Sequence, residues 1–364
     1  MQVKEKERAI LVGIKSSRIS AEEFAVDMEE LQGLLEAAGG EVIASMVQAM
    51  HRPQAATYIG RGKLEELLHL VEELEPELVV FDAELSPMQL RNIEEYLKIK
   101  VVDRTMLILD IFSQRARSRE GILQVELARL QYQLPRLTGQ GKELSRTGAG
   151  IGTRGAGEQK LELDRRYIKK RIKDIKGQME KAQKTRELHR KQRQRVGLKT
   201  VSLVGYTNAG KSSVFNSICE LAHPSGVKQV EAENQLFQTL DTTTRKINLN
   251  REDSFLLSDT VGFIKNLPHH LVAAFKSTLE EAVQADLLIH VVDVSDPDYM
   301  DKMLVVQDVL QDLGAPAEDI LTVFNKSDRL DYVPDDNRNL YISARTGIGL
   351  DILLARINLL LFKD

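Results

Sequence analysis

The strongest chemical signal in this 364-residue sequence is a glycine-rich run that begins at Gly205. The residues GYTNAGKSS fit the pattern GxxxxGK[ST] and follow the apolar stretch TVSLV, which predicts a strand ending at Val204. In such a loop, backbone N–H groups and the positive end of the next helix bind phosphates, Lys211 reaches the β- and γ-phosphates, and the Ser212 hydroxyl ligates Mg²⁺. The predicted phosphate-binding residues are Gly205, Tyr206, Thr207, Asn208, Ala209, Gly210, Lys211, Ser212 and Ser213.

A second apolar stretch, SFLLSDTVG, ends in Asp259 and Gly262 with the spacing DxxG. We expect Asp259 to hold Mg²⁺ through water and the Gly262 N–H to contact the γ-phosphate. A glutamine directly after this motif can orient the attacking water, but Phe263 stands there and has no hydrogen-bonding group. We therefore predict slow hydrolysis that a partner accelerates. The alternative is that Phe263 packs in the core and another side chain, such as His269 or His270, positions the water.

Two later stretches indicate which base is bound. ILTVFNKSD ends in NKxD, and the Asp328 carboxylate can accept hydrogen bonds from the N1–H and N2–H₂ groups of guanine, which adenine lacks. Asn325 would support the loop, and the Lys326 stem would cover the ring. In YISART, the Ala344 N–H can contact guanine O6, with Ser343 and Arg345 on either side. Because open α/β sheets bind ligands at the carboxyl ends of parallel strands, these motifs predict one site for GTP or GDP with Mg²⁺.

A threonine is also needed to close over Mg²⁺ and the γ-phosphate. The segment FQTLDTTTR offers Thr239, Thr242, Thr243 and Thr244, and spacing alone does not choose among them. A hydroxyl-rich loop of no special role would look the same.

The first hundred residues alternate strand-like and helix-like patterns, which predict a small parallel sheet covered by helices. The predicted strands are 9–14, 41–46, 77–82 and 100–103, and the predicted helices are 21–38, 62–75 and 87–97. The sequence Gly60-Arg61-Gly62-Lys63 lacks the full spacing of a phosphate loop and is interpreted as an ordinary loop and helix start.

The charge is unevenly distributed, although the net charge is only −4. Residues 115–195 contain 23 basic and 9 acidic residues, whereas the rest of the chain contains 27 basic and 45 acidic. Apolar residues at helical spacing in this segment predict two helices in an antiparallel hairpin, the first of which we expect Pro135 to end. The cationic excess favours a polyanionic partner.

A glycine-rich stretch separates the two helices, with seven glycines between Gly139 and Gly157. Its Lys142, Arg146 and Arg154 suit insertion into folded RNA, but glycine content alone favours a solvated linker. We therefore predict a glycine-rich tip at 138–158 and leave both interpretations open.

Composition excludes several other classes of protein. A lone cysteine, Cys219, excludes an intrachain disulfide, and the charged N-terminus does not resemble a signal peptide. The longest apolar runs are shorter than the roughly 20 residues that span a bilayer. We expect a cytoplasmic protein without a membrane span, monomeric in solution.

The sequence resembles the HflX GTPases, relatives of the Obg and Era groups within the translation-factor-like class. The resemblance rests on GYTNAGKSS, LFQTLDTTTR, DTVGFI, NKSD, the linker GIGTRGAGE and the helical segment ILDIFSQRARSREGILQVELARLQYQLPRL, and it extends from roughly Ala9 to the end. It implies that Thr239, with Ser212, ligates Mg²⁺, and that Phe237 and Thr239 contact the nucleotide. Lys211, Thr239 and Gly262 are then the residues expected to act on the transferred phosphate.

The resemblance also implies a domain organisation and a function. We expect an α/β domain over 1–114, a basic helical hairpin over 115–197 and a Ras-like P-loop GTPase domain over 198–364. The family implies binding to the large ribosomal subunit and its RNA in the GTP state, here through residues 115–195, and a role in splitting or rescuing ribosomes. A GTPase that acts on a free RNA, and a scaffold switched by GTP, are the alternatives. Ala149 and Ala156 depart from the linker expected for the family, which concerns contacts at the tip but not nucleotide chemistry.

Overall fold

The computed structural model describes residues 6–17, 19–137, 156–222, 236–237, 242–250, 253–265, 282–334 and 339–362. The chain forms two compact units: Met1–Gln114 with Leu123–Gln178, and Arg115–Ile122 with Met179–Asp364. Each unit is built around its own sheet, which is parallel in the first unit and mostly parallel in the second.

The first unit contains a four-stranded parallel sheet in the order β2-β1-β3-β4. Its inner strands are buried because runs such as AILV and LVVF are apolar on both faces, as expected where helices cover a parallel sheet. The elements in order are β1 (Glu7–Lys15), α1 (Ala21–Ala38), β2 (Gly40–Ala49), α2 (Arg61–Leu74), β3 (Leu78–Phe81), α3 (Pro87–Leu97), β4 (Lys100–Asp103) and α4 (Arg104–Arg115).

Local capping explains where the helices of this unit begin. The Ser20 side chain accepts from the Glu23 N–H at the start of α1, and Ser86 with Gln89 forms a capping box before Pro87 in α3. Helix α1 ends at Gly39, whose φ of 96° favours glycine. Gly60 is the N-cap of α2, which confirms the interpretation of that stretch as a loop and helix start.

Two long helices follow, α5 (Arg119–Arg136) and α6 (Ala156–Arg195). Within the first unit, Arg171 of α6 donates through Nε and Nη2 to the Glu126 carboxylate of α5, at 2.6 and 2.7 Å. Ile168 and Ile175 of α6 are buried. The predicted helical stripes therefore do form helices.

The second unit contains a six-stranded sheet in the order β10-β9-β8-β5-β7-β6, in which only β6 is antiparallel to its neighbour. Its core surrounds β5 and β8, where Val201, Leu203 and Ile289 are fully buried. Its elements are β5 (Lys199–Val204), α7 (Lys211–Ala222), β6 (Thr243–Asn248), β7 (Ser254–Asp259), β8 (Leu287–Asp293), α8 (Tyr299–Asp312), β9 (Ile320–Asn325), β10 (Leu340–Tyr341) and α9 (Leu350–Phe362).

Several predicted boundaries are wrong. Pro135 lies inside the last turn of α5, which ends one residue later at Arg136. Helix α4 was missed because its apolar residues do not keep to one face; the buried ones are Leu107, Ile108, Leu109, Ile111 and Phe112. Helix α6 already begins at Ala156, so 156–158 is helical rather than part of the tip, and 138–155 lies outside the described residues. The stretch YISART was also expected to be a strand ending at Ser343 and Ala344, but only its first residue, Tyr341, belongs to a strand, the two-residue β10.

Candidate guanine nucleotide site

The loop between β5 and α7 takes backbone conformations that favour glycine. Gly205 has φ 151° and Gly210 has φ 90°, and Asn208 between them is also left-handed at φ 62°. A Cβ on Gly210 would lie 2.3 Å from Asn325 Nδ2, so a larger residue would have to displace the Asn325 side chain. The loop can therefore follow a phosphate group closely at the start of α7.

Lys211 carries its ammonium group into the buried side of this loop. Its side chain is 6% exposed, and Nζ donates to the carbonyl oxygens of Gly205 and Tyr206 at 3.2 and 2.9 Å. Burial lowers the pKa of Lys211 to about 8, partly opposed by the Asp259 carboxylate. The pKa of His290, also buried, is lowered to about 4 by burial and by Lys211, so its imidazole is neutral at pH 7. A buried ammonium group that donates to carbonyl oxygens suits an anionic phosphate oxygen as a further acceptor.

Two side chains that carry oxygen atoms meet at the end of β7. Ser212 Oγ donates to Asp259 Oδ2 at 2.6 Å, and Asp259 is fully buried. Hydroxyl and carboxylate oxygens are the ligands that Mg²⁺ takes in phosphate sites. A Cβ on Gly262 would lie 2.9 Å from Lys211 Nζ and 2.8 Å from Thr207 Cα, so only glycine fits there. The residues present thus fit a phosphate group with its magnesium ion.

The DxxG segment is bonded to the phosphate loop through its backbone. The Thr207 N–H donates to the Phe263 carbonyl at 2.7 Å, and the Phe263 N–H donates to the Gly205 carbonyl at 3.1 Å. The Tyr206 hydroxyl accepts from the Lys265 N–H at 2.6 Å. Phe263 itself is 3% exposed, so it packs in the core, as one of the two interpretations of the sequence predicted. His269 and His270, the proposed substitutes, lie outside the described residues.

Side chains of the base-recognition motifs tie three loops together. Asn325 Nδ2 donates to the Ala209 carbonyl of the phosphate loop at 2.9 Å, and Asn325 Oδ1 accepts from the Ala344 N–H at 3.0 Å. Ser343 Oγ donates to Asp328 Oδ1 at 2.6 Å. The carboxylate that would bind the guanine edge is therefore held in place from the YISART loop.

The structure adds one residue to this end of the site that the motifs did not reveal. Asp293, the last residue of β8, accepts from Lys326 Nζ at 2.6 Å through Oδ2 and from the Ser295 N–H and Oγ through Oδ1. Lys326 has a left-handed φ of 64°. The sequence could have indicated Asp293, because this residue ends the apolar strand β8 and ligands bind at the carboxyl ends of parallel strands.

The remaining predicted residues differ in exposure. Gln238 and Thr239, the two residues that follow Phe237, lie outside the described residues. Phe237 is buried with φ 53°, whereas Arg345 and Asn208 are exposed. Of the remaining threonines, Thr243 and Thr244 belong to β6, and Thr244 Oγ1 lies 2.9 Å from Ser258 Oγ.

Comparison with known proteins agrees with this geometry. Three family models match consecutive parts of the chain: "GTP-binding GTPase N-terminal" over residues 25–113, "GTP-binding GTPase Middle Region" over 115–193 and "50S ribosome-binding GTPase" over 200–326. The GTPase HflX of Caldanaerobacter subterraneus subsp. tengcongensis is 51% identical over 362 residues, which cover 99% of this chain and 82% of that protein.

The chain belongs to the HflX family of GTPases. The HflX protein of Escherichia coli is 42% identical over 352 residues, covering 94% of this chain and 80% of that protein. A crystal structure of SsGBP in complex with GDP is similar with a TM-score of 0.53 and 25% identity, covering 97% of this chain and 98% of that chain.

This HflX-family membership confirms the resemblance seen in the motifs and the predicted α/β fold with its helical middle region and P-loop GTPase domain. As an HflX-family protein, the chain binds guanine nucleotides and is a GTP hydrolase. Among the described residues, every helix is too short or too polar to cross a bilayer.

Proposed function

We propose that this protein is a ribosome-associated GTPase that binds the large ribosomal subunit and its RNA in the GTP state, and hydrolyses GTP to GDP in ribosome splitting or rescue. The observation that carries the proposal is the joining of a guanine nucleotide site to a 40-residue helix, α6, within the segment of 23 basic and 9 acidic residues. RNA phosphates are the abundant polyanion that such a segment would meet. The match of residues 200–326 to a ribosome-binding GTPase model supports this choice.

We propose the domain organisation that the sequence predicted: an α/β domain over 1–114, a basic helical segment over 115–197 and a GTPase domain over 198–364. In the last of these, the phosphate loop from Gly205 to Ser213 would hold the phosphates. Asp328, with Ser343 and Ala344, would bind the guanine edge.

Magnesium would be held by Ser212 and Thr239 directly and by Asp259 through water, and it would neutralise charge on the β- and γ-phosphates. Lys211 would donate to the same phosphates from its buried position. The Gly262 N–H would contact the γ-phosphate only after the bonds between Phe263 and the phosphate loop have rearranged, because those bonds fix the segment beside Thr207. GTP would thus select between two positions of the DxxG segment.

Hydrolysis by the free protein should be slow, because the buried Phe263 offers no group that could orient a water molecule. We expect a partner to supply or order that group. GTP turnover measured with and without large ribosomal subunits tests this: stimulation of about tenfold or more is expected. Rapid turnover that is unchanged by subunits or whole ribosomes would contradict the proposal.

The association itself is tested by cosedimentation. Protein with GDP, with a non-hydrolysable GTP analogue or without nucleotide is centrifuged with small subunits, large subunits and whole ribosomes. We expect the GTP analogue to place the protein on the large subunit. Equal binding in all nucleotide states would exclude a GTP-dependent interaction, and binding to purified RNA alone would favour the GTPase that acts on a free RNA.

A further inference from the structure

Helix α6, which is rich in basic residues, presents an aromatic side chain to solvent. Tyr167 is 69% exposed, and Leu163, one turn before it, is 63% exposed. Residues four apart lie side by side on a helix, so the two form a small apolar strip. Among the described residues, none forms a hydrogen bond with the Tyr167 hydroxyl.

The apolar strip does not belong to the packed face of the helix. That face contains Ile168 and Ile175, which are 9% and 0% exposed, and it explains why those two positions are apolar. One exposed apolar residue on a surface needs no explanation, but two large ones at adjacent positions of a helix this rich in charge do.

The net charge of this part of α6 matches a nucleic acid rather than another apolar surface. Seven basic and three acidic residues lie between Leu161 and Gln178. Lys169, Lys170 and Lys173 are exposed and form no ion pair within the described part of the chain. Of these, Lys170 lies three residues after Tyr167 and so beside it on the helix, whereas Lys169 faces away from the ring. Proteins that hold single-stranded RNA combine such cations, which follow the phosphates, with aromatic rings on which unpaired bases stack.

One arginine stiffens the helix beside the tyrosine. Arg171, one turn after Tyr167, is fixed by its two hydrogen bonds to Glu126, and this ion pair raises the pKa of Arg171 and lowers that of Glu126. The ring is therefore carried by a helix that is already ordered at this point, so stacking requires no folding of the helix on binding.

We propose that Tyr167, with Leu163 beside it, is a stacking platform for an unpaired base of RNA, and that Lys170, one turn after the ring, and Lys173, one turn after Lys170, hold the adjoining phosphates. The proposal rests on the ribosome association proposed above and names one of its contacts. It assigns recognition of an extruded or single-stranded nucleotide, rather than of duplex RNA, to this part of α6.

The test uses the absence of tryptophan from the chain. In Tyr167→Trp, the introduced indole is the only one in the protein, and it keeps an aromatic face for stacking. We expect its fluorescence to be quenched by large ribosomal subunits and by single-stranded RNA, and much less by duplex RNA of equal length. Tyr332→Trp is the matched control, because Tyr332 is a similarly exposed tyrosine, at 74%, in the GTPase domain.

Affinity is measured with the alanine variant. Tyr167→Ala should weaken binding to the large subunit by about five- to a hundredfold, whereas Tyr167→Phe and Tyr332→Ala should bind as the wild type does. Unchanged affinity of Tyr167→Ala, or no quenching of Tyr167→Trp, would overturn the platform while wild-type cosedimentation still upheld the ribosome association. A blue-shifted emission without quenching would indicate a contact with a ribosomal protein and would also overturn it. Failure of the wild type to bind subunits would overturn both proposals.

Discussion

At the scale of single residues, the guanine end of the site is defined by which atoms can donate and which can accept. The Asp328 carboxylate offers acceptors only, and the Ser343 hydroxyl already donates to one of its oxygens. Guanine presents two donors at its N1 and N2 positions, so an ionised carboxylate is complementary to it.

Asp328→Asn should therefore change base specificity. The asparagine side chain has one carbonyl oxygen as acceptor, and its NH₂ group would face an N–H group of guanine. We therefore expect GDP affinity to fall by about a hundredfold or more. Xanthine nucleotides, which carry a carbonyl in place of the 2-amino group, should bind the variant better than GDP does. Titration calorimetry with GDP and xanthosine diphosphate measures both effects, and Asp331→Asn, an exposed acid three residues later, is the control.

A second prediction at this scale concerns Asp293, which accepts a hydrogen bond from Lys326, the lysine of the NKxD motif. The pair with Lys326 is mostly buried, with side chains 14% and 16% exposed, so its loss should weaken GDP binding by about three- to tenfold. Asp293→Asn removes the charge and keeps the shape. Asp296→Asn, which removes the neighbouring pair with Lys302, should have a smaller effect on GDP affinity. Equal effects of the two variants would contradict a positioning role of Asp293.

At the scale of elements, helix α5 is bonded to the sheet of the first unit through a buried carboxylate. Asp103, at the end of β4, accepts from the Tyr132 hydroxyl at 2.7 Å and from the Leu85 and Met106 N–H groups. Arg136 contacts the same carboxylate at 3.4 Å. Helix α5 is thus tied to the sheet by polar contacts in addition to its apolar face.

Burial raises the pKa of Asp103, and its hydrogen bonds, including the one from Tyr132, partly reverse this. Because the folded pKa is raised, the native state binds a proton more readily than the unfolded chain, and this contribution to stability is lost as pH rises above the ordinary aspartate value. Removal of the Tyr132 donor should raise the Asp103 pKa further. The cost of this removal should therefore be greater at neutral than at acid pH, because ionisation of the Asp103 carboxyl group is favoured as pH rises.

We expect Tyr132→Phe to lower the free energy of opening of α5 by about 1 to 3 kcal/mol at neutral pH and by less at about pH 4. Hydrogen–deuterium exchange at the amides of α5 measures this local free energy. Tyr58→Phe is the control in the same unit, because its ring packs against Phe81 and its hydroxyl bonds no described residue. A loss that is equal at the two pH values would show that the Asp103 carboxylate is not involved.

At the scale of the whole molecule, the separation of charge determines how association should depend on salt. The cationic excess lies in residues 115–195, and the remaining chain is acidic. Each RNA phosphate neutralised by a cation releases counterions, so affinity falls as a power of the salt concentration. An association carried mainly by apolar contacts would not show this dependence.

Replacing Lys169, Lys170 and Lys173 together by glutamine should make large-subunit binding less sensitive to salt. If the three contact phosphates, the slope of log affinity against log salt should become shallower by about 2. Dissociation constants measured over a series of potassium chloride concentrations give this slope. GDP affinity is the internal control, because none of the three lysines belongs to the nucleotide site, and an unchanged slope would place the RNA contact elsewhere.

The phosphate loop, the DxxG segment and the base-recognition motifs could be predicted from the sequence by itself, because each is a short run of residues with a fixed spacing. It also determined the alternating elements of the first hundred residues and the two long helices, since their hydrophobic periodicity is local. Helix α4 was not predicted because it is buried on several sides, and such a helix lacks the polar face that makes helical periodicity visible in the sequence.

Only the tertiary structure decided which distant side chains meet. Asp293 and Lys326 are 33 residues apart, Asp103 and Tyr132 are 29 apart, and no spacing rule connects either pair. The exposure of Tyr167 and the burial of Ile168, adjacent in sequence, likewise depend on where the neighbouring helix packs. Local patterns specify the backbone that binds phosphate, whereas partners for buried charges and exposed rings are set by the packing of elements that are remote in the chain.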